Sequence, residues 1–213
     1  MDVEFELLKK VDEEKEELIH LVQDLVRIPS ENTPPSGKEL ECQEYIARYM
    51  VSLGLPVDLY YFGDSPELKK HPAFWPGRDY SKRPNLAVVY KGKGNGKSLL
   101  LSGHIDTVPR GSTPWKEDPF GGVIKGNNLY GLGAWDMKGG IGAIMIVLKI
   151  LKELDVHLQG DLIFESVVDE EFGGVNGTIA GRLRGYNADG AIITEPTNLS
   201  ICPATCGCRI AHI

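Results

Sequence analysis

Apolar residues recur at helical spacing near the N-terminus. Leu18, Ile19, Val22, Leu25 and Val26 mark one face of residues 12–27, with acids early and Arg27 late. That pattern predicts an amphipathic helix whose charges complement its dipole. Pro29, Pro34 and Pro35 end it. Ser36-Gly37-Lys38-Glu39 has the spacing of a capping box and is expected to open a second helix. Its stripe is Leu40, Tyr45, Ile46, Tyr49, Met50 and Leu53, with Gly54 where a C-cap glycine belongs. Ile141, Ile144, Met145, Leu148, Leu151 and Leu154 predict a helix from about Lys138, and residues 175–184 predict another. Short apolar runs predict strands at 57–61, 85–90, 98–102, 161–168, 188–194 and 199–202. Residues 62–84, rich in proline and aromatics, form a long irregular insertion. Helices and strands alternate, so the expected fold is α/β: a mostly parallel sheet flanked by helices.

Composition narrows the class. The 213 residues include 23 basic and 30 acidic side chains, a formal net charge of −7, and are 42% hydrophobic and 25% charged. That balance suits one folded domain, or two small ones, and argues against disorder. An acidic chain also lacks the basic face that a nucleic acid requires. Met1-Asp2-Val3-Glu4 has neither the basic nor the apolar region of a signal peptide, and the run from Ile141 to Val147 is far short of a membrane span. Of Cys42, Cys202, Cys206 and Cys208, three fall within seven residues, a poor layout for a disulfide framework. A reducing, cytoplasmic compartment is therefore expected.

Two motifs fail on inspection. Gly92 to Lys97 invites a phosphate-loop reading, but Lys91 stands where the first glycine is required, and a strand rather than a helix follows. A hairpin turn joining strands 85–90 and 98–102 is expected instead. Cys202-x-x-x-Cys206-x-Cys208 lacks a second Cys or His pair at zinc-finger spacing and reads as small apolar residues on a strand and bend. His20, His71, His157 and His212 stand alone and read as non-ligands.

Four other segments carry metal-type ligands beside glycine or proline. They are Ser102-Gly103-His104-Ile105-Asp106-Thr107-Val108-Pro109, Gly131-Leu132-Gly133-Ala134-Trp135-Asp136-Met137-Lys138-Gly139-Gly140, Asp169-Glu170-Glu171-Phe172-Gly173-Gly174 and Thr194-Glu195-Pro196-Thr197. Three directly follow expected strands, where ligand sites in open α/β sheets lie. Carboxylates converging on one cleft repel each other and need a cation. With His104, Asp136, Glu171 and Glu195 as ligands, the three acids are neutralised by two divalent ions and a bridging hydroxide. One carboxylate must then bridge ions roughly 3.5–4 Å apart. Mixed imidazole and carboxylate ligation suits Zn2+, with Co2+ or Mn2+ as substitutes.

In order and spacing, and together with Trp115-x-x-Asp118-Pro119-Phe120 and Leu129-Tyr130-Gly131, these motifs resemble a family of zinc aminoacylases and peptidases. That family includes acetylornithine deacetylase, succinyl-diaminopimelate desuccinylase and carboxypeptidase G. The resemblance runs from about residue 12 to the end and implies a dinuclear-zinc, aminopeptidase-like catalytic domain. It implies that His104 and Glu195 bind one zinc, Asp136 bridges, Glu171 binds the other, and Glu170 is the general base and acid. It also implies that Asp106 hydrogen-bonds the far nitrogen of His104, as ligating imidazoles usually require, and that the peptide after Asp136 is cis. Leu132 departs from the arginine often found there.

The resemblance further implies that residues 1–204 are the N-terminal part of the catalytic domain. Residues 205–213 would begin a lid and dimerisation domain cut short, and the complete enzyme would be a homodimer. The expected activity is removal of an acyl group from an N-acyl amino acid. A dipeptidase, a carboxypeptidase or a non-catalytic metal-binding remnant are the alternatives. The chain alone is expected to hold at most one zinc tightly and to be inactive. The stretch His71 to Gly77, with Trp75, is either a surface loop packing its own aromatics or a wall of the substrate cleft.

Overall fold

The computed structural model describes residues 3–174 and 176–204. Six α-helices are present among them: α1 (Val3–Glu13), α2 (Lys15–Arg27), α3 (Leu40–Ser52), α4 (Pro66–Lys70), α5 (Gly139–Glu153) and α6 (Asn176–Arg184). The stripe on α2 buries Leu21, Val22, Leu25 and Val26. The expected single helix over 12–27 is instead two, divided at Glu14, whose buried carboxylate takes ion pairs from Lys10 and Lys149. α3 buries Cys42, Gln43, Ile46 and Met50, and Gly54 follows it at φ 72°, the left-handed turn that favours glycine.

The capping box expected at Ser36 does not form. Ser36–Gly37 (β2) pairs with Asn32–Thr33 (β1) in a short antiparallel ladder, and α3 starts at Leu40 with no side-chain cap. The physical reason is Arg83. The Glu39 carboxylate that would reach back to a cap is held by its guanidinium at 2.5 and 3.0 Å.

The remaining strands are β3 (Val57–Tyr60), β4 (Asn85–Tyr90), β5 (Leu99–His104), β6 (Val123–Lys125), β7 (Asn128–Tyr130), β8 (Leu162–Val167) and β9 (Gly190–Ile193). β6 and β7 form a separate antiparallel ribbon, and the other five form one sheet in the order β3-β4-β8-β5-β9. β8 pairs parallel with β5, and β5 with β9. β4 runs antiparallel to both β3 and β8, so it alone opposes the other four. Every residue of β8 is buried, as expected of a strand covered on both faces. α5 packs its apolar residues Ile141, Ile144, Met145 and Leu148 into the core with Leu86, Val88 and Phe164 of the sheet. Each such side chain contributes roughly 1.5–3 kcal/mol on burial.

Two expected features differ. The 91–97 segment is not a hairpin, because β8 lies between β4 and β5. It crosses the start of β8 instead, with Lys93 N–H donating to Leu158 O at 2.9 Å and Gly92 N–H to the Asp161 carboxylate at 2.9 Å. The glycines permit backbone-on-backbone crossing, since a Cβ on Gly92 would stand 2.5 Å from the Gly160 carbonyl carbon. The strand expected at 199–202 is also absent. Asn198 and Leu199 take φ of 54° and 59°, a left-handed turn incompatible with an extended run, and Leu199 and Ile201 are fully exposed. Cys202 is a free, exposed thiol; Cys206, Cys208, His212 and the expected lid strand lie outside the described residues.

Candidate metal centre

The three parallel strands β5, β8 and β9 end on one edge of the sheet, and each delivers a ligand-bearing motif there. His104 is the last residue of β5 and only 2% exposed. Its Nδ1 lies 2.9 Å from the carbonyl oxygen of Asp106 and 3.5 Å from that residue's carboxylate. The hydrogen bond expected to reach the Asp106 carboxylate therefore goes to the carbonyl, because the two residues are close in the chain and the backbone turns onto the ring. The carboxylate has other work: its oxygens accept from Glu170 N–H and Glu171 N–H, both at 3.1 Å, and from Asn32 Nδ2 at 2.8 Å.

With Nδ1 occupied, Nε2 faces the cleft. It lies 3.0 Å from Asp136 Oδ1, 3.7 Å from Glu195 Oε1 and 3.8 Å from Glu170 Oε2. Asp136 sits in an irregular turn of helix, Ala134–Lys138, that enters from Gly133 at φ 77° and leads into α5. The Asp136–Met137 peptide is cis. Met137 is buried, and its sulfur accepts from the His104 N–H at 3.2 Å. Glu171 accepts from Val108 N–H at 3.2 Å. Glu195 follows β9 after Thr194, whose N–H continues the ladder to Ser102 O at 3.2 Å. Leu132, in place of the expected arginine, is buried.

The electrostatics are those of acids gathered around one imidazole. Burial works against a charged His104. The Asp106 carboxylate close to Nδ1 and the negative charges of Glu170 and Glu195 outweigh it and raise the pKa to about 10. Burial also resists charge on Asp106, yet His104, the Glu170 amide and Asn32 hold its carboxyl below the ordinary value. Glu171 is raised to about 7 by burial first and by repulsion from Asp136 and Asp106, against the attraction of His104. Glu170 and Glu195 are raised by burial and by neighbouring carboxylates, again against His104.

Two triads bring a ligand atom from each member within 4.8 Å of the others: His104 with Asp136 and Glu171, and His104 with Glu170 and Glu195. This donor set fits one or two divalent ions of the Zn2+ type, which bind imidazole and carboxylate together. All four expected ligands and the expected base therefore meet, from positions 91 residues apart in the chain.

Sequence reasoning missed the polar residues behind them. Asn32 belongs to no motif or periodic stripe, yet its amide joins Asp106 to Asp169. Asp169 was read only as the first letter of its motif. The insertion does not pack merely on itself: Trp75, 39% exposed, is clamped to Asn176, and Arg78 stacks between Trp75 and Phe172.

A mixed α/β sheet with a histidine and several carboxylates gathered at the carboxyl ends of its parallel strands defines the class. Residues 100–208 match the model of Peptidase family M20/M25/M40, and the chain belongs to that family. An N-formyl-4-amino-5-aminomethyl-2-methylpyrimidine deformylase of Halalkalibacterium halodurans is 38% identical over 199 residues, 92% of this chain and 42% of that protein. A succinyl-diaminopimelate desuccinylase of Methylobacterium sp. (strain 4-46) is 37% identical over 186 residues, 84% of this chain and 42% of that protein. Human carnosine dipeptidase 1 shares the fold at a TM-score of 0.69 and 18% identity, over 88% of this chain and 40% of that one. The chain thus spans about two-fifths of the length of the curated relatives it matches. Among the described residues, no helix is long and apolar enough to cross a membrane.

Proposed function

We propose that the protein hydrolyses the amide of a small N-acyl amine, with two Zn2+ ions, or Co2+ or Mn2+, held by His104, Asp136, Glu171 and Glu195. The observation that carries this reading is Glu170. A metal site that only supports a fold has no use for a further carboxylate beside a ligand, yet Glu170 stands 3.8 Å from His104 Nε2 with its backbone pinned to Asp106. The metals, when bound, supply Lewis acidity to the amide carbonyl and acidify water. Glu170 accepts the proton of the attacking water and passes it to the departing amine nitrogen as the C–N bond breaks. Its raised pKa suits a group that must hold that proton between the two steps. The Asp106 carbonyl beside Nδ1 holds the His104 ring in one tautomer and orientation throughout.

The first substrates to test carry a formyl group on an aminomethyl-pyrimidine, supported by the 38% identity over 92% of the chain, and a succinyl or acetyl group on an amino acid. Dipeptides rest on fold likeness alone. On this reading residues 1–204 supply the N-terminal part of a cytoplasmic catalytic domain. The lid and dimerisation domain expected from residue 205, and the homodimer it would build, lie outside the described residues. In the complete enzyme, Glu170→Gln should lower kcat by roughly 10²–10⁴ while metal content stays at the parent's value. Turnover of these amides by the variant at the parent's rate would refute the role of Glu170. No turnover of any of them by the metal-loaded parent would refute the hydrolase reading itself.

A further inference from the structure

The turn that carries Glu170 and Glu171 begins at Asp169, a buried residue at φ 65°, a conformation that side chains with a Cβ rarely adopt. Aspartate is one of the few such residues that tolerate it, and here four partners hold its carboxylate. Tyr80 Oη donates to Asp169 Oδ2 at 2.5 Å, Asn32 Nδ2 to Oδ1 at 3.0 Å and Arg83 Nη2 to Oδ1 at 3.3 Å. Arg78 Nε adds an ion pair at 3.6 Å. Three of these four partners come from the 62–84 insertion.

The partners are themselves fixed. Arg83, fully buried, is gripped by the equally buried Glu39. Tyr80 Oη accepts from Asn176 Nδ2 at 2.8 Å, and Asn176 exchanges two further hydrogen bonds with the backbone of Trp75. The insertion is thus fastened to both ends of segment 169–176. The left-handed turn at Asp169 has a direct consequence: it directs the next two amides, of Glu170 and Glu171, onto the two oxygens of Asp106. Those two bonds set where both glutamate side chains leave the backbone. Asn32 closes the arrangement by donating to Asp106 and Asp169 at once.

We propose that Asp169 is a positioning residue: gripped by Tyr80 and Arg83 of the insertion, it fixes the turn that aims Glu170 and Glu171 into the metal cleft. Its effect on turnover rests on the amide-hydrolase reading; its effect on the turn does not. The insertion is therefore a part of the centre's scaffold.

The test uses Tyr80→Phe, which removes one hydroxyl, and Asp169→Asn, which keeps a residue type that tolerates the left-handed turn. Amide hydrogen exchange is followed at Glu170 and Glu171 and across β8, together with Co2+ affinity, kcat and KM. Exchange at Glu170 and Glu171 should speed up with β8 unchanged, and Co2+ affinity and kcat should each fall on the order of tenfold, with KM little moved. Unchanged exchange at the two glutamates, or equal acceleration across β8, would show that the contacts serve only global stability and overturn the proposal. If Asp169→Asn does not fold, Tyr80→Phe decides alone. If the complete enzyme hydrolyses no amide, the functional reading fails while exchange and Co2+ affinity still decide this one.

Discussion

Gly103 shows how little room the centre leaves at single positions. A Cβ there would lie 2.7 Å from Met137 Cε and 2.9 Å from Ile141 Cδ1, both fully buried. Met137 follows the proposed ligand Asp136 and its sulfur contacts the His104 N–H, so a push at this point reaches two proposed ligands at once. Gly103→Ala should cost about 1–3 kcal/mol through overpacking. It should also weaken Co2+ binding, which separate melting and metal titrations would read; a variant with parental values for both would show that Met137 gives way freely. The proposed ligands were legible because each is an acid or histidine in a short segment with glycine or proline, three of the four segments directly after an apolar run. The residues behind them were not. Asn32 reaches Asp106 across 74 residues and Asp169 across 137, and no local spacing reports a partner so distant. The choice between carbonyl and carboxylate at Asp106 is equally invisible, since both belong to the same residue.

Elements obeyed the same division between local and distant causes. β4 falls on 85–90 as its apolar run requires, and α5 buries the stripe that predicted it. The failures are at places where a remote group intervenes: Arg83 takes the Glu39 carboxylate from the capping box, and β8 enters between β4 and β5. The break between α1 and α2 is a third case, because Glu14 faces Lys149 of α5 as well as Lys10 of its own helix. Hydrogen bonds from Lys10 and then Lys149 hold the Glu14 carboxyl below its ordinary 4.5, against the opposing effect of burial. A carboxyl depressed by folding stabilises the fold fully above its unfolded value, and that contribution is lost as pH falls through the folded one. Glu14→Gln should therefore lower the melting temperature at pH 7, and the gap should shrink as pH drops below 4.5. A gap that stays constant down to pH 3 would mean that the amide loses packing rather than charge.

At the scale of the molecule, the sheet order matters more than any one strand. Placing β8 beside β5, and β9 on its other side, sets the ends of three parallel strands around one cleft, and the entry to α5 adds Asp136. The mostly parallel character expected from alternating helices and strands was legible; the reversal of β4 was not, because it depends on which neighbour it pairs with. The cleft that results concentrates negative charge in a chain that is already acidic, at a net −7. It also holds protons that a metal must displace. His104, raised to about 10, is protonated at pH 7, and Glu171, raised to about 7, is close to half protonated. Both must lose their protons to act as ligands. Titration of Zn2+ into the protein at pH 7, in buffers of different ionisation enthalpy, should therefore show release of at least one proton per chain. Affinity should fall as pH drops, because protons compete for the same atoms. Saturating Zn2+ should raise the melting temperature, with about 2.7 kcal/mol of stabilisation at a hundredfold excess over Kd. His104→Ala should abolish most of the proton release. Tight binding with no proton uptake or release, or unaltered release in that variant, would place the ion elsewhere than on the His104 imidazole.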